Sequence, residues 1–588
     1  MMQKFPTSFL DAPKVFCPPQ IPSGPSYDCK FMLNIGVFFD GTHNNVYEDK
    51  NKNGRVDGQS NVARLSELYR DEPDQGYFRH YIQGVGTPFP EIGEKAESTF
   101  GSAFAAGGEA RIIWGLLQVL NSMHSFVNNG ALMFEVDEMA LLASSRPDSI
   151  RDFATKDNEL FDQIRQKTGT RLRFGLNGNW QNTRHTFLMH CYGKLSMQLN
   201  DKRTVPGITG VYLDVFGFSR GAAQARVFCN WLHQSLLLDG KLCGVPAYVR
   251  FLGLFDTVSS VGWNQTGHVS WASAADLRIH PDIKNCLHYV ALHEFRNNFP
   301  LDSVCVNGDL PDNCCEQIAP GAHSDVGGGY EPGEQGKGVC LVTPDPYYPD
   351  DKRAQKDNSY KLSQLTLNRM LEAAKKAREN HPADNGAPWL DLNTKNPRKL
   401  QDLTDRQLIS QFACHPSVLN MVDGYFKKCD IAPCAVELAL QKHVKLYLGW
   451  RYLVNQSKEG FNDLDSLRWA QRTDTKVRVG YYLDGQKIFA AQIKTRGVGG
   501  GYHSKAQEIY EEIKSTEPSW FMNKFFDGYV HDSYAGFISQ FKDGLVGQLT
   551  GAAAHIIAEP RRYLSYRYMY SGDETRLNTM ADQNQRLA

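Results

Sequence analysis

Ser219 lies between two glycines in Gly217-Phe218-Ser219-Arg220-Gly221, a pattern that sets a hydroxyl nucleophile on a sharp, strained turn. Such a pattern arises by accident in long chains, so its surroundings decide. Val211 to Phe216 precedes it as an apolar strand, and Ala222-Ala223-Gln224-Ala225-Arg226-Val227-Phe228 follows as helix-forming sequence. Strand, turn and helix are the order a nucleophile elbow needs, with glycines where side chains would collide. A triad on this scaffold runs Ser, acid, His along the chain. Asp256 closes the run Phe251-Leu252-Gly253-Leu254-Phe255, and His323 sits in Pro320-Gly321-Ala322-His323-Ser324-Asp325-Val326-Gly327-Gly328-Gly329-Tyr330, which reads as a flexible loop. In these positions His323 takes the Ser219 proton and returns it to the leaving alcohol, while Asp256 fixes its tautomer. Asp214, inside the elbow strand, is a poorer orienter, and His531 in Val530-His531-Asp532-Ser533 is the reserve histidine. The Arg220 N–H at the helix start and the Gly41-Thr42 backbone are the candidate oxyanion donors.

These residues require a sheet whose strand ends converge. Phe31 to Phe39, apolar except for Asn34, ends in the turn-forming Asp40-Gly41-Thr42-His43-Asn44-Asn45. Tyr248 to Phe255, Leu287 to Leu292 and Glu316 to Ala319 read as further strands. Helical or long connections between them predict an α/β fold, a mostly parallel α/β-hydrolase-like sheet with ligands at its carboxyl ends. The expected organisation is an extended leader over 1–30 and a catalytic domain over 31–343. A helical insertion at about 88–205 interrupts that domain, carried by stretches such as Glu109 to Val127 and Ile150 to Lys167. A mainly helical module follows over 344–588, in which Leu362 to Asn380 and Ala435 to Val454 are amphipathic helices. Lys476 to Ile493 alternates like a hairpin turning at Asp484-Gly485.

Composition narrows the function classes. A chain of 588 residues exceeds what one hydrophobic core fills. Lys+Arg at 64 against Asp+Glu at 65 gives a net charge of −1, which argues against nucleic-acid binding through bulk positive field. Thirteen scattered cysteines, among them Cys314-Cys315, Cys429 and Cys434, have no paired metal-ligand spacing and read as free thiols. Met1-Met2-Gln3-Lys4-Phe5-Pro6 never builds a signal-peptide core, so the expected starting place is the cytoplasm. No apolar run spans a bilayer; Gly544 to Ala558 is interrupted by Gln548, Thr550 and His555. Asp49 to Asp57 opens with the rhythm of a calcium loop, but Ser60 stands where the closing Glu belongs, which favours a solvated loop. No cofactor and no metal are expected.

Taken together, Phe38-Phe39-Asp40-Gly41-Thr42, Asn61-Val62, Gly84-Val85-Gly86-Thr87, Gly217-Phe218-Ser219-Arg220-Gly221-Ala222, Phe255-Asp256-Thr257 and Gly321 to Tyr330 resemble the first family of type VI secretion lipase effectors. The resemblance covers residues 31 to 335; Phe525 to Ser533 matches more loosely. It implies phospholipase A activity on membrane glycerophospholipids, with the sn-1 ester favoured, and a triad at Ser219, Asp256 and His323. It also implies delivery on a spike or tube protein of a contractile machine, action in a rival bacterium's periplasm, and a cognate immunity protein. A lipase needs an apolar surface for the bilayer, and Trp520 to Phe526 and Gly544 to Ala558, followed by Arg561 and Arg562, are the candidates. Packing of those helices onto the catalytic domain is the competing reading. A serine esterase of small soluble esters and a non-catalytic toxin component or adaptor are the alternative functions.

Overall fold

The computed structural model describes residues 7–9, 11–17, 30–46, 58–94, 101–143, 155–172, 175–177, 181–201, 207–259, 271–297, 299–343, 347, 353–378, 388–390, 410–457, 460–496, 503–535 and 562–572. The central sheet has nine strands among the described residues, of which seven form its main path: β1 Thr7–Ser8, β2 Lys30–Phe39, β3 Tyr77–Ile82, β4 Gly207–Phe218, β5 Val245–Phe255, β6 Cys286–Ala291 and β7 Cys314–Ala319. The two short strands Leu237–Leu238 and Lys241–Leu242 pair antiparallel with each other, and the latter pairs antiparallel with β5. The order along the main path is β1-β7-β6-β5-β4-β2-β3, and every neighbouring pair on it is parallel. A parallel sheet is covered on both faces, and this one has a core on each side.

The alternation of side chains along a strand divides the two cores. Leu33, Ile35, Val37 and Phe39 of β2 and Val211, Leu213 and Val215 of β4 face one of them. Helices α1 Gly101–Val127 and α2 Arg220–Ser235 cover that face, with Ile112, Leu116, Leu120, Val227 and Phe228 in the same cluster. Phe38, Phe216, Phe218, Phe251 and Phe255 face the other side, where α3 Ser363–Lys376 brings Leu367, Met370 and Leu371. The C-terminal helices α4 Pro416–Lys428, α5 Val436–Gln456, α6 Lys476–Lys494 and α7 Trp520–Tyr529 add Tyr425, Tyr447, Phe489, Phe525 and Phe526 to this second cluster. The expected helices at 109–127, 150–167, 362–380 and 435–454 correspond to observed helices Gly101–Val127, Thr155–Thr168, Ser363–Lys376 and Val436–Gln456.

A one-residue bulge sets the interior charge. Leu213 pairs with Val249 and Asp214 with Phe251, so Arg250 is the extra residue. Its guanidinium grips Asp214 at 3.0 and 2.5 Å, and the Tyr69 hydroxyl donates to the same carboxylate at 2.9 Å. Asp214 is therefore committed to a buried ion pair inside the sheet.

Two local expectations fail. Lys476–Lys494 is a helix, not a hairpin: its buried residues Val479, Tyr482, Gln486, Phe489 and Ile493 recur at three and four, a period the alternating β-branched residues disguised. Gly485 is there for contact, since a Cβ would lie 2.5 Å from Tyr563 Oη and 2.8 Å from Asp532 Oδ2. His323 does not ride on an open loop but begins a short helix, His323–Gly327, whose first turn is closed by Asp325 accepting the Ala322 N–H at 2.9 Å. Asp49–Asp57, Gly544–Ala558 and Arg561 lie outside the described residues.

Candidate active site

Ser219 ends β4 and opens α2 with φ 58° and ψ −124°, a conformation costly for any residue with a Cβ. The surrounding backbone enforces it. A Cβ on Gly221 would overlap the carbonyl oxygens of Phe39 and Asp40, and one on Gly217 would overlap Gly221 and Ala222. Helix and strands press too closely there for anything but glycine. The Ser219 N–H donates to Phe255 O at 3.0 Å, and Ser219 O accepts from the Val258 N–H at 3.2 Å. The elbow is thus stapled to the turn that carries Asp256.

Asp256, itself at φ 40°, follows β5, and His323 follows β7 two strands further along the sheet. His323 Nδ1 and Asp256 Oδ2 are 2.6 Å apart. The Phe218 ring lies against the imidazole at 4.7 Å between centroids and Phe299 meets it edge-on at 5.2 Å, which fixes the ring plane. Among the described residues no hydrogen bond joins the Ser219 hydroxyl to His323, as is common before substrate arrives. Ser219, Asp256 and His323 are each buried.

Sequence reasoning missed the other partners of Asp256. Its Oδ1 accepts from the Ala291 N–H at 2.9 Å and from Arg567 Nη1 at 2.8 Å. Burial raises the Asp256 carboxyl, but the Arg567 guanidinium and His323 outweigh it and hold the group well below the usual carboxylate range. Burial also dominates His323 and lowers it below the ordinary histidine value, although Asp256 pulls the other way. Both directions favour a carboxylate beside a neutral imidazole, the form in which a histidine can accept a proton.

The other nominated residues take distinct places. The Gly41 N–H donates to Asp40 Oδ1 at 2.7 Å, whereas the Thr42 N–H makes no hydrogen bond among the described residues. Thr42 Oγ1 accepts from Arg220 Nε at 2.5 Å, so the loop after β2 touches the start of α2. Asp40 also accepts from Ser60 Oγ at 2.5 Å and Tyr81 Oη at 2.6 Å; burial outweighs these donors and raises it to about 6. His531 Nδ1 lies 2.6 Å from Asp325 Oδ1, and its Nε2 lies 3.2 Å from Glu334 O. The His531 N–H also donates to Asp325 Oδ2 at 3.0 Å, so this histidine braces the helix that His323 begins. Glu294 Oε2 accepts the His323 N–H at 3.2 Å while its carboxylate pairs with Arg296 at 2.8 and 2.9 Å.

Two further features bear on the chemistry. His233, His280 and Asp282 bring ligand atoms within 4.8 Å of one another, but the imidazoles are stacked at 4.0 Å and 13°, which keeps their lone pairs from converging on one ion. In α7, Trp520 is exposed, while Met522, Phe525 and Phe526 are buried, so most of that apolar stretch packs inward.

Residues 238–373 match the family model described as "T6SS, Phospholipase effector Tle1-like, catalytic domain", which agrees with the resemblance read from the motifs. The matched segment contains Asp256 and His323 and begins after Ser219. A solved structure titled "Crystal structure of an uncharacterized protein from Pseudomonas aeruginosa" is similar in fold, with TM-score 0.65 and 22% identity over 92% of this chain and 80% of that one. The structure titled "Structure of the Tle1 effector bound to the VgrG spike from the Type 6 secretion system" aligns at TM-score 0.31 and 18% identity, over 71% of this chain and 84% of that one. No curated protein matches.

Proposed function

We propose that this chain is a type VI secretion phospholipase effector, a serine hydrolase that cleaves acyl esters of membrane glycerophospholipids through an acyl-enzyme on Ser219. The observation that carries the reading is the 2.6 Å contact between His323 Nδ1 and Asp256, beside a serine held at φ 58° on a strand-to-helix turn. His323 Nε2 takes the Ser219 proton as Oγ attacks the ester carbonyl, and Asp256 stabilises the imidazolium that forms. The Arg220 N–H, in the first helical turn where no intrahelical acceptor exists, and the Thr42 N–H stabilise the oxyanion; the Gly41 backbone shapes that loop. Collapse of the intermediate expels the lysophospholipid alcohol, protonated by His323, and water then releases the fatty acid by the same steps in reverse.

Phospholipase A specificity with preference for the sn-1 ester, delivery by a spike or tube protein, action at the membrane of a target cell's periplasm and neutralisation by an immunity protein belong to the same reading. The family match at 238–373 supports it. Fatty-acid release from phospholipid vesicles, compared with hydrolysis of a short soluble ester, tests it: activity on the soluble ester alone would leave an esterase of small substrates. A partner-binding adaptor without catalysis would show neither activity and no labelling by a serine-directed fluorophosphonate.

A further inference from the structure

We infer that Arg567, supplied by the C-terminal segment 562–572, is a positioning residue of the triad, holding Asp256 ionised and turned so that Oδ2 faces His323. The inference rests on the triad assigned above. Arg567 is buried and lies 311 residues from Asp256 in sequence. Its guanidinium makes two directed contacts: Nη1 to Asp256 Oδ1 at 2.8 Å, and Nε to the Phe299 carbonyl at 2.9 Å. Phe299 is also the ring that meets His323 edge-on. One side chain therefore sets both the acid and a wall of the imidazole.

The segment carrying Arg567 is fastened to the same region. Met569–Tyr570 pairs in parallel with Leu301–Asp302, and the Leu301 and Ser303 N–H groups donate to Tyr568 O at 2.8 Å and Tyr570 O at 3.0 Å. Asp302 in turn donates its N–H to Thr257 O at 3.0 Å and accepts the Ser259 N–H at 2.8 Å. Backbone pairing thus runs from Arg567's own segment to the residues that follow Asp256.

The charge balance explains why an arginine is needed. Asp256 is wholly buried and receives one neutral backbone donor, from Ala291, besides His323. A carboxylate so placed holds its charge only beside a cation, and the Arg567 guanidinium is the cation in contact with it. The cation stands on Oδ1, the oxygen away from the imidazole, so it secures the acid while opposing the imidazolium from farther off than it attracts the carboxylate.

The test uses the full-length protein and the pH dependence of its labelling by a fluorophosphonate, with Ser219→Ala as the blank. Arg567→Met is expected to slow labelling by roughly 10- to 100-fold, the scale on which orienting partners act, and to move the acid limb to higher pH because a cation near His323 is gone. Arg567→Lys, which keeps the charge without the fork, is expected to slow labelling by about three- to tenfold and leave the acid limb where it was. A purely structural arginine would lower the amount of folded enzyme without moving that limb. Wild-type rate and pH profile in Arg567→Met would overturn the inference alone, and absence of labelling in the wild type would overturn the triad and the inference together. If Arg567→Met does not fold, Arg567→Lys decides, and labelling at the wild-type rate would overturn the proposal.

Discussion

His323, the proposed general base, is the residue on which the pH behaviour turns. It acts as a base only when neutral, and burial lowers it from 6.5, so the acid limb of kcat/KM is expected to have its midpoint below about 6.5. A midpoint above neutrality would contradict the assigned environment. Asp256→Asn removes the acceptor that fixes the tautomer, and the expected loss in kcat is about 10³- to 10⁴-fold with the fold intact by circular dichroism. The sequence nominated Ser219, Asp256 and His323 from the strand ends beside the first two and from their order along the chain, and the fold brings Asp256 and His323 within 2.6 Å of each other, although the helix that His323 opens was read as a loop. Arg567 was not legible: nothing in Arg562-Tyr563-Leu564-Ser565-Tyr566-Arg567 distinguishes a triad partner from any buried arginine. Only the folded chain brings it to Asp256.

At the scale of elements, five strands showed themselves as short apolar runs, whereas Thr7–Ser8 and Tyr77–Ile82 did not. The latter reads Tyr77-Phe78-Arg79-His80-Tyr81-Ile82, and the Arg79 and His80 in its middle break the apolar run that marked the interior strands. Helix 476–494 was misread because Asp484-Gly485 is a turn signal in isolation; its glycine instead admits Tyr563 and Asp532 against the helix. Gly485→Val is accordingly expected to lower the melting temperature without changing the pH dependence of whatever activity remains, measured at a temperature where the variant is folded. Asp214 offers a sharper contrast. Asp214→Asn leaves the buried Arg250 without its anion and is expected to destabilise by about 3–5 kcal/mol in denaturant titrations, while activity per folded molecule stays near wild type. A selective loss of activity in that variant would return Asp214 to candidacy as the triad acid.

The whole molecule joins distant parts of the chain at one site. The sheet supplies Ser219, Asp256 and His323 at its carboxyl ends, and C-terminal residues lock their supports: His531 on Asp325, Ser533 on Glu294 at 3.0 Å, Arg567 on Asp256. The described part of the C-terminal half therefore reaches the proposed triad directly, a closure that periodicity could not reveal because it consists of single long-range contacts. No described helix is long and apolar enough to cross a membrane. The central claim is that Ser219 opens the ester bonds of membrane phospholipid, and its most direct test is product analysis on vesicles whose phospholipid carries different acyl chains at its two ester positions. Wild-type enzyme is predicted to release the sn-1 fatty acid and Ser219→Ala none. Equal release by the two proteins, or none by the wild type, would contradict the account.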